Sequence, residues 1–202
     1  MNHFSKATQY YNYAEFLHLI ETLMAEGKTT GNNQSEQYQF YTKLNFQRMQ
    51  RWNKTFHLTE SFAEQLKNQP QQTWWVITEG WCGDSAQNLP GIAKMAAASE
   101  GKIELRIVLR DEHPEIMDQY LTNGSRSIPK LVSLDLDGNE VFQWGPRPAT
   151  AQELMMAWKK NPEGKDFETF EKELHTWYTQ NKGIELQGEI AALMPVKIMA
   201  TL

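Results

Sequence analysis

The stretch "WWVITEGWCGDSAQNLP", Trp74–Pro90, contains the only cysteine of the 202-residue chain. Its opening run of aromatic and β-branched residues, counted from Thr73, suits a strand packed in a sheet. From Gly83 to Ser99 the pattern changes, and Ala86, Leu89, Ala93 and Ala96 recur at helical spacing with Pro90 as an interior kink. Cys82 therefore falls where a strand has ended and a helix begins. A thiol in that position lies among unsatisfied backbone N–H groups at the positive end of the helix dipole. This predicts a favoured thiolate, with a pKa below the unperturbed value of about 8.5. Asp84 opposes it, since a nearby negative charge disfavours a second one. Ser85 either donates a hydrogen bond to the thiolate or caps the helix.

Downstream, "KIELRIVLR" reads as a strand whose apolar and charged alternation suggests a wetter face or an edge. "HPEIMDQYL" reads as a short helix. "IPKLVSLDLDGNEVFQW" reads as two strands joined at Asp137 and Gly138, a strong hairpin signal. "TAQELMMAWKK" is an amphipathic helix entered through Pro148, with Thr150 as its expected N-cap. The order β-α-β-α-β-β-α implies a parallel pair with a crossover helix, then an antiparallel hairpin: an α/β sandwich on a mixed sheet flanked by helices.

The flanks are helical. Phe16, Leu17, Ile20 and Leu23 mark a first helix ending near Gly27; others are expected from Glu36 to Trp52 and from Thr59 to Lys67. Two more are expected over Phe167–Gln180 and Ile184–Leu193. The expected organisation is an N-terminal helical extension over 1–70, a core over 71–160 and C-terminal helices over 161–202, in one compact domain.

Composition limits the function. A formal net charge of −5 with no basic block gives no footprint for nucleic acid. The opening "MNHFSKATQYYNY" lacks a signal-peptide pattern and no apolar run reaches membrane-spanning length, so no membrane partner and a cytoplasmic location are expected. One cysteine excludes an intrachain disulfide and a Cys-only metal site. No cofactor or metal is expected: Asp111, Glu112 and His113 are adjacent, and adjacent side chains seldom converge on one ion. "DLDGNE" fits a hairpin rather than a calcium loop.

The residues resemble the thioredoxin-like superfamily, and within it the proteins with a Trp-Cys-Gly-Asp motif. Trp81, Cys82 and Gly83 match the start of the Trp-Cys-Gly-Pro-Cys motif, and Pro90 falls where that family kinks its first core helix. Asp111 and Pro114 follow the next strand; Tyr120, Gly124, Ile128 and Pro129 match the segment leading to the family's cis-proline; Asp137, Gly138 and Val141 match its final hairpin. The resemblance covers about Thr73–Lys159 and implies a thioredoxin-like mixed sheet with a cis Ile128–Pro129 bond. This chain also departs from the family. Ser85 replaces the second thiol, Val76 stands where the family has a buried aspartate, and Ile107 stands where it usually has the partner lysine.

The resemblance implies single-cysteine thiol–disulfide chemistry, with Cys82 as nucleophile and Ser85 and Asp84 beside it. Trp81, Gly83, Ile128, Pro129, Arg126 and Arg147 are the expected substrate-binding residues. The substrate would be a thiol or disulfide, glutathione or a peptide segment, and an external thiol would complete the cycle. Arg126 and Arg147, with Ser127 and Lys130, either bind a carboxylate in bidentate fashion or pair with Asp84 and Asp111 to hold loops. The other class of function is a non-catalytic module that holds a partner on the cis-proline face.

Overall fold

In a computed structural model, which describes residues 2–195, the strand-like runs become β1 (Gln72–Thr78), β2 (Ile103–Leu109), β3 (Lys130–Leu134) and β4 (Glu140–Trp144). They form one sheet in the order β2-β1-β3-β4. β1 runs parallel to β2 and antiparallel to β3, and β3 and β4 form the hairpin. The mixed sheet flanked by helices is the architecture the sequence implies. The β2 edge, expected from its alternation, is partly covered by the N-terminal segment: Tyr11 exchanges two backbone hydrogen bonds of 2.8 Å with Ile107.

Alternate side chains of β1 serve two cores. Trp74 and Val76 point to one face, where they pack with residues of α1 (Tyr13–Ala25), α2 (Glu36–Thr55), α3 (Glu60–Lys67) and α4 (Gly83–Ala98). Trp75 and Ile77 point to the other, together with Phe4, Val108, Tyr120 and Cys82. α4 crosses between the parallel strands, and α5 (Pro114–Met117) lies under the second core. A third cluster joins α6 (Ala149–Lys160) to α7 (Phe167–Asn181), with the Phe170 ring stacked on Trp158.

One helix start differs from the expectation. The N-cap position of α6 is Pro148. Thr150 lies inside the helix and donates its hydroxyl to Glu185 of α8 (Ile184–Leu193), while Ala149 N–H donates to Glu189. The cap comes from carboxylates far along the chain, so no local residue needs to supply it.

The extensions also hold the turn that leads to the cysteine. The Thr30 hydroxyl, in the loop between α1 and α2, accepts a 2.9 Å bond from Gly80 N–H, and Asn45 of α2 donates to the Gly80 carbonyl. Both side chains are buried, so water cannot replace either bond. Thr30→Val should keep the shape and strand a buried N–H, lowering unfolding free energy by about 1–3 kcal/mol. Urea denaturation should show a lower midpoint at an unchanged slope.

Candidate active site

Cys82 occupies the N-cap position of α4, 8% exposed, and its thiol donates to the Ile128 carbonyl at 3.3 Å. The thiol thus touches the segment that the sequence marks as substrate-binding. The Ile128–Pro129 and Gly145–Pro146 bonds are both cis. The expected favoured thiolate is not found. Burial first, and the charge of Asp84 second, push the thiol up to about 11. A helix terminus contributes about 0.3–2 kcal/mol. Full burial can move a pKa by about 3–5 units, at about 1.4 kcal/mol each. Desolvation therefore wins.

Ser85 is buried, and among the described residues its hydroxyl has no hydrogen-bond partner while Cys82 is a thiol. Once the sulfur is ionised, that hydroxyl and the Ser85 N–H are the groups that stabilise it, and the Arg147 charge helps. Ser85 caps nothing, so of its two sequence readings the thiolate donor is the one its position allows.

Asp84 is a junction. Its carboxylate forms an ion pair with Arg147, which leaves β4 through Gly145 and Pro146, and accepts a 3.0 Å bond from the Tyr178 hydroxyl of α7. Asn88, one turn further along α4, donates to that same hydroxyl at 3.1 Å. Burial, with the Asp84 charge, pushes the Tyr178 phenol well above its ordinary range and keeps it a donor.

α7 packs directly on the motif. A Cβ at Gly83 would come within 3.3 Å of the His175 ring, so the glycine gives the imidazole its place. His175 belongs to a chain of bonds across three helices. Trp52 donates its indole N–H to Gln87, so Gln87 Nε2 donates to His175 Nδ1 at 2.7 Å, and the ring proton on Nε2 faces Glu171 at 3.3 Å. Trp81 is flanked by Tyr38 of α2, with ring centroids 4.8 Å apart, and by the Arg110 guanidinium at 4.7 Å. Sequence reading singled out none of Tyr38, Tyr178, His175 or Arg110, because their contacts to the motif are long-range.

The arginines are occupied. Arg147 holds Asp84, Arg126 holds Asp118 through two bonds of 2.6 and 2.7 Å, and Asp111 is held by Arg110. Loop-holding is thus what the structure shows, with Asp118 rather than Asp111 as the partner of Arg126. Val76 and Ile107 are directly paired neighbours in the sheet and fully buried in the first core, while Cys82 lies in the second. A second buried acid, Glu79, stands three residues before the cysteine, and its carboxylate accepts from Asp111 N–H at 2.9 Å. Burial lifts it from 4.5 to about 7.

A cavity of about 430 Å³ opens over Cys82, walled by Trp81, Ile128, Arg126 and Arg147 together with Tyr41 and Phe167 from the extensions. The predicted site residues line this cavity, except Pro129 and Ser85, which do not. Among the described residues no helix is long and apolar enough to cross a membrane.

A family model described as thioredoxin matches residues 31–160. Thioredoxin 1 of Nostoc sp. is 40% identical over 52 residues, 26% of this chain and 46% of that protein, so the match spans less than half of that relative. Among solved structures, a protein of unknown function from Pseudomonas aeruginosa aligns with a TM-score of 0.55 at 18% identity, over 91% of this chain and 96% of that one. An HIV epitope scaffold aligns with a TM-score of 0.54 at 18% identity, over 91% and 97%. Such coverage takes in most of both helical extensions, and at this identity the likeness is one of fold.

Two pH responses follow. Alkylation of Cys82 should keep accelerating above pH 9, and Asp84→Asn should raise its rate at pH 7 about three- to tenfold by removing the repelling charge. Between the unfolded value near 4.5 and the folded value near 7, the native state keeps a proton on Glu79 that the unfolded chain releases. Its contribution to stability is complete below that window and is lost as pH rises through it, up to about 3 kcal/mol. Glu79→Gln should remove this fall, visible as a flatter plot of unfolding free energy from pH 5 to 8.

Proposed function

The chain belongs to the thioredoxin family, and from that premise we propose that it performs thiol–disulfide exchange through Cys82 alone. The observation that carries this reading is the placement of Cys82 at the head of α4, against Ile128 and under an open cavity, with the idle Ser85 hydroxyl beside it. In the first step the Cys82 thiolate attacks one sulfur of a substrate disulfide. A new S–S bond forms, the old one breaks, and the released thiolate takes up the proton that Cys82 gave up. The chain has no second thiol to close the cycle. An external thiol then attacks the Cys82 adduct, restoring the free thiol and leaving as the new disulfide. Ser85 takes part only as a hydrogen-bond donor, since a hydroxyl neither forms a stable S–O link nor ionises near neutral pH.

A thiol near 11 sets the pace. Raised by two units from its ordinary value, its thiolate fraction at pH 7 is about 100-fold lower, and its greater basicity returns about a factor of six to ten in nucleophilicity. Exchange should therefore run roughly 10- to 15-fold slower than for an unperturbed thiol. The same burial favours a second reading, a non-catalytic module that holds a partner on the cis-proline face with Cys82 as packing. Formation of a covalent adduct on Cys82, or its absence, separates the two.

Incubation with a small aromatic disulfide should leave a one-to-one adduct on the native protein, seen by intact mass and persistent after the excess reagent is removed. Ser85→Cys should shorten its lifetime by closing an internal disulfide. No adduct on the native chain, where the urea-unfolded chain is fully modified, would favour the binding module.

A further inference from the structure

A cleft of about 990 Å³ runs between α2 and α7, beside the cavity over Cys82 and larger than it. One wall is a row of α2 side chains at four-residue spacing, Phe40, Leu44 and Arg48, and the facing row on α7 is Phe167, Glu171 and His175. The rows change character along their length. At one end Phe40 is 63% exposed and Phe167 49%, so two large aromatic side chains stand in water. At the other end the α2 wall is cationic.

Arg48 is a charged group short of partners. Its side chain lines the cleft and keeps 16% of its surface exposed, so a ligand can reach it. Nη1 donates to Asn45 at 2.8 Å, while the contact to Glu171 is a loose 3.9 Å. That carboxylate is engaged elsewhere: it accepts from the Tyr41 hydroxyl at 3.2 Å and faces His175 Nε2 at 3.3 Å. Among the described residues, Nε and Nη2 of Arg48 donate to no protein acceptor. Together they form an edge of the guanidinium that can clamp a carboxylate through two parallel bonds. Burial lowers the Arg48 guanidinium from its ordinary range by more than the Glu171 charge raises it, and Arg51, one turn along α2, adds to the lowering. Arg51 donates to Thr179 in the opposite wall and, among the described residues, has no carboxylate partner. Lys172 and Glu168, by contrast, neutralise each other on the exposed side of α7.

We propose that the α2–α7 cleft binds a small amphipathic monocarboxylate, an elongated molecule whose carboxylate is clamped by Arg48 and whose apolar tail lies along Leu44 to Phe40 and Phe167. Phe40 and Arg48 stand two turns apart on α2, about 12 Å, which is the span the tail must cover. The Glu171 charge resists a second negative charge beside it, which favours a monocarboxylate over a phosphate dianion. A tail laid over the exposed aromatics takes apolar surface of both partners out of water. Binding here involves no covalent step and does not depend on the exchange reading.

Decanoate is a probe of this shape. Calorimetric titration of the full chain, at concentrations too low for the probe to form micelles, should show one site. Acetate keeps the head and lacks the tail; decyltrimethylammonium keeps the tail and reverses the head charge. Each should bind at least about tenfold more weakly. Arg48→Gln should weaken decanoate binding by about tenfold or more. Phe40→Asp should weaken it by about fivefold or more, because it removes apolar cover and adds a repelling charge. Phe40 is exposed, so this variant keeps the test decisive should Arg48→Gln lower the thermal midpoint. Cys82→Ser should bind decanoate as the native chain does. Equal affinities for decanoate and decyltrimethylammonium, or native affinity for decanoate in both cleft variants, would overturn the proposal. Loss of binding in Cys82→Ser would overturn it too, by placing the probe at the thiol. Arg48-dependent binding in a chain that forms no adduct at Cys82 would retain the proposal and overturn the exchange reading alone.

Discussion

A single buried carboxylate joins the parts of this molecule that the sequence keeps far apart. Asp84, in the first turn of α4, meets Arg147 from the end of the sheet and Tyr178 from the C-terminal extension. A charge removed from water is tolerated only when it is paired and hydrogen-bonded. With Asp84 fixed in sequence two residues after Cys82, the exit from β4 and the helix α7 must both come to the thiol. The Asn88 bond to Tyr178 and the packing of His175 on Gly83 complete the junction. On the opposite flank, Thr30 and Asn45 satisfy the backbone of Gly80. The extensions are thereby structural members of the site.

This junction has a chemical consequence. The ion pair partly cancels the repulsion that Asp84 exerts on Cys82, and burial dominates what is left, so the sulfur is stored as a thiol. A second buried acid, Glu79, accepts from Asp111 N–H, while the family's aspartate position holds Val76 in the opposite core.

The core was legible because its signals are local. The aromatic and β-branched run of Thr73–Thr78, the Asp137–Gly138 turn and the helical spacing after Gly83 each act over a few residues, and the parallel pair and the hairpin follow from them. The position of Cys82 at the head of α4 was legible for the same reason. Its acidity was not, because helix-terminus effects can be read from neighbours in sequence while burial is set by Trp75, Val108 and Ile128 arriving from three strands or loops. The arginines show the same limit. Arg126 and Arg147 were recognisable as neighbours of the thiol, yet which aspartate each would hold depended on loop geometry. Thr150 looked like a cap because it sits where caps sit; Glu185 and Glu189, from the other end of the chain, supply the bonds instead.

The claim that Asp84 binds the C-terminal extension to the thiol motif can be tested by a double-mutant cycle. The unfolding free energies of the native chain, Asp84→Asn, Tyr178→Phe and the double variant give the coupling between the two side chains. A direct buried bond to a charged acceptor predicts a coupling of at least about 1 kcal/mol. Additivity within about 0.5 kcal/mol would contradict it, and would mean that α7 lies beside the motif without being tied to it.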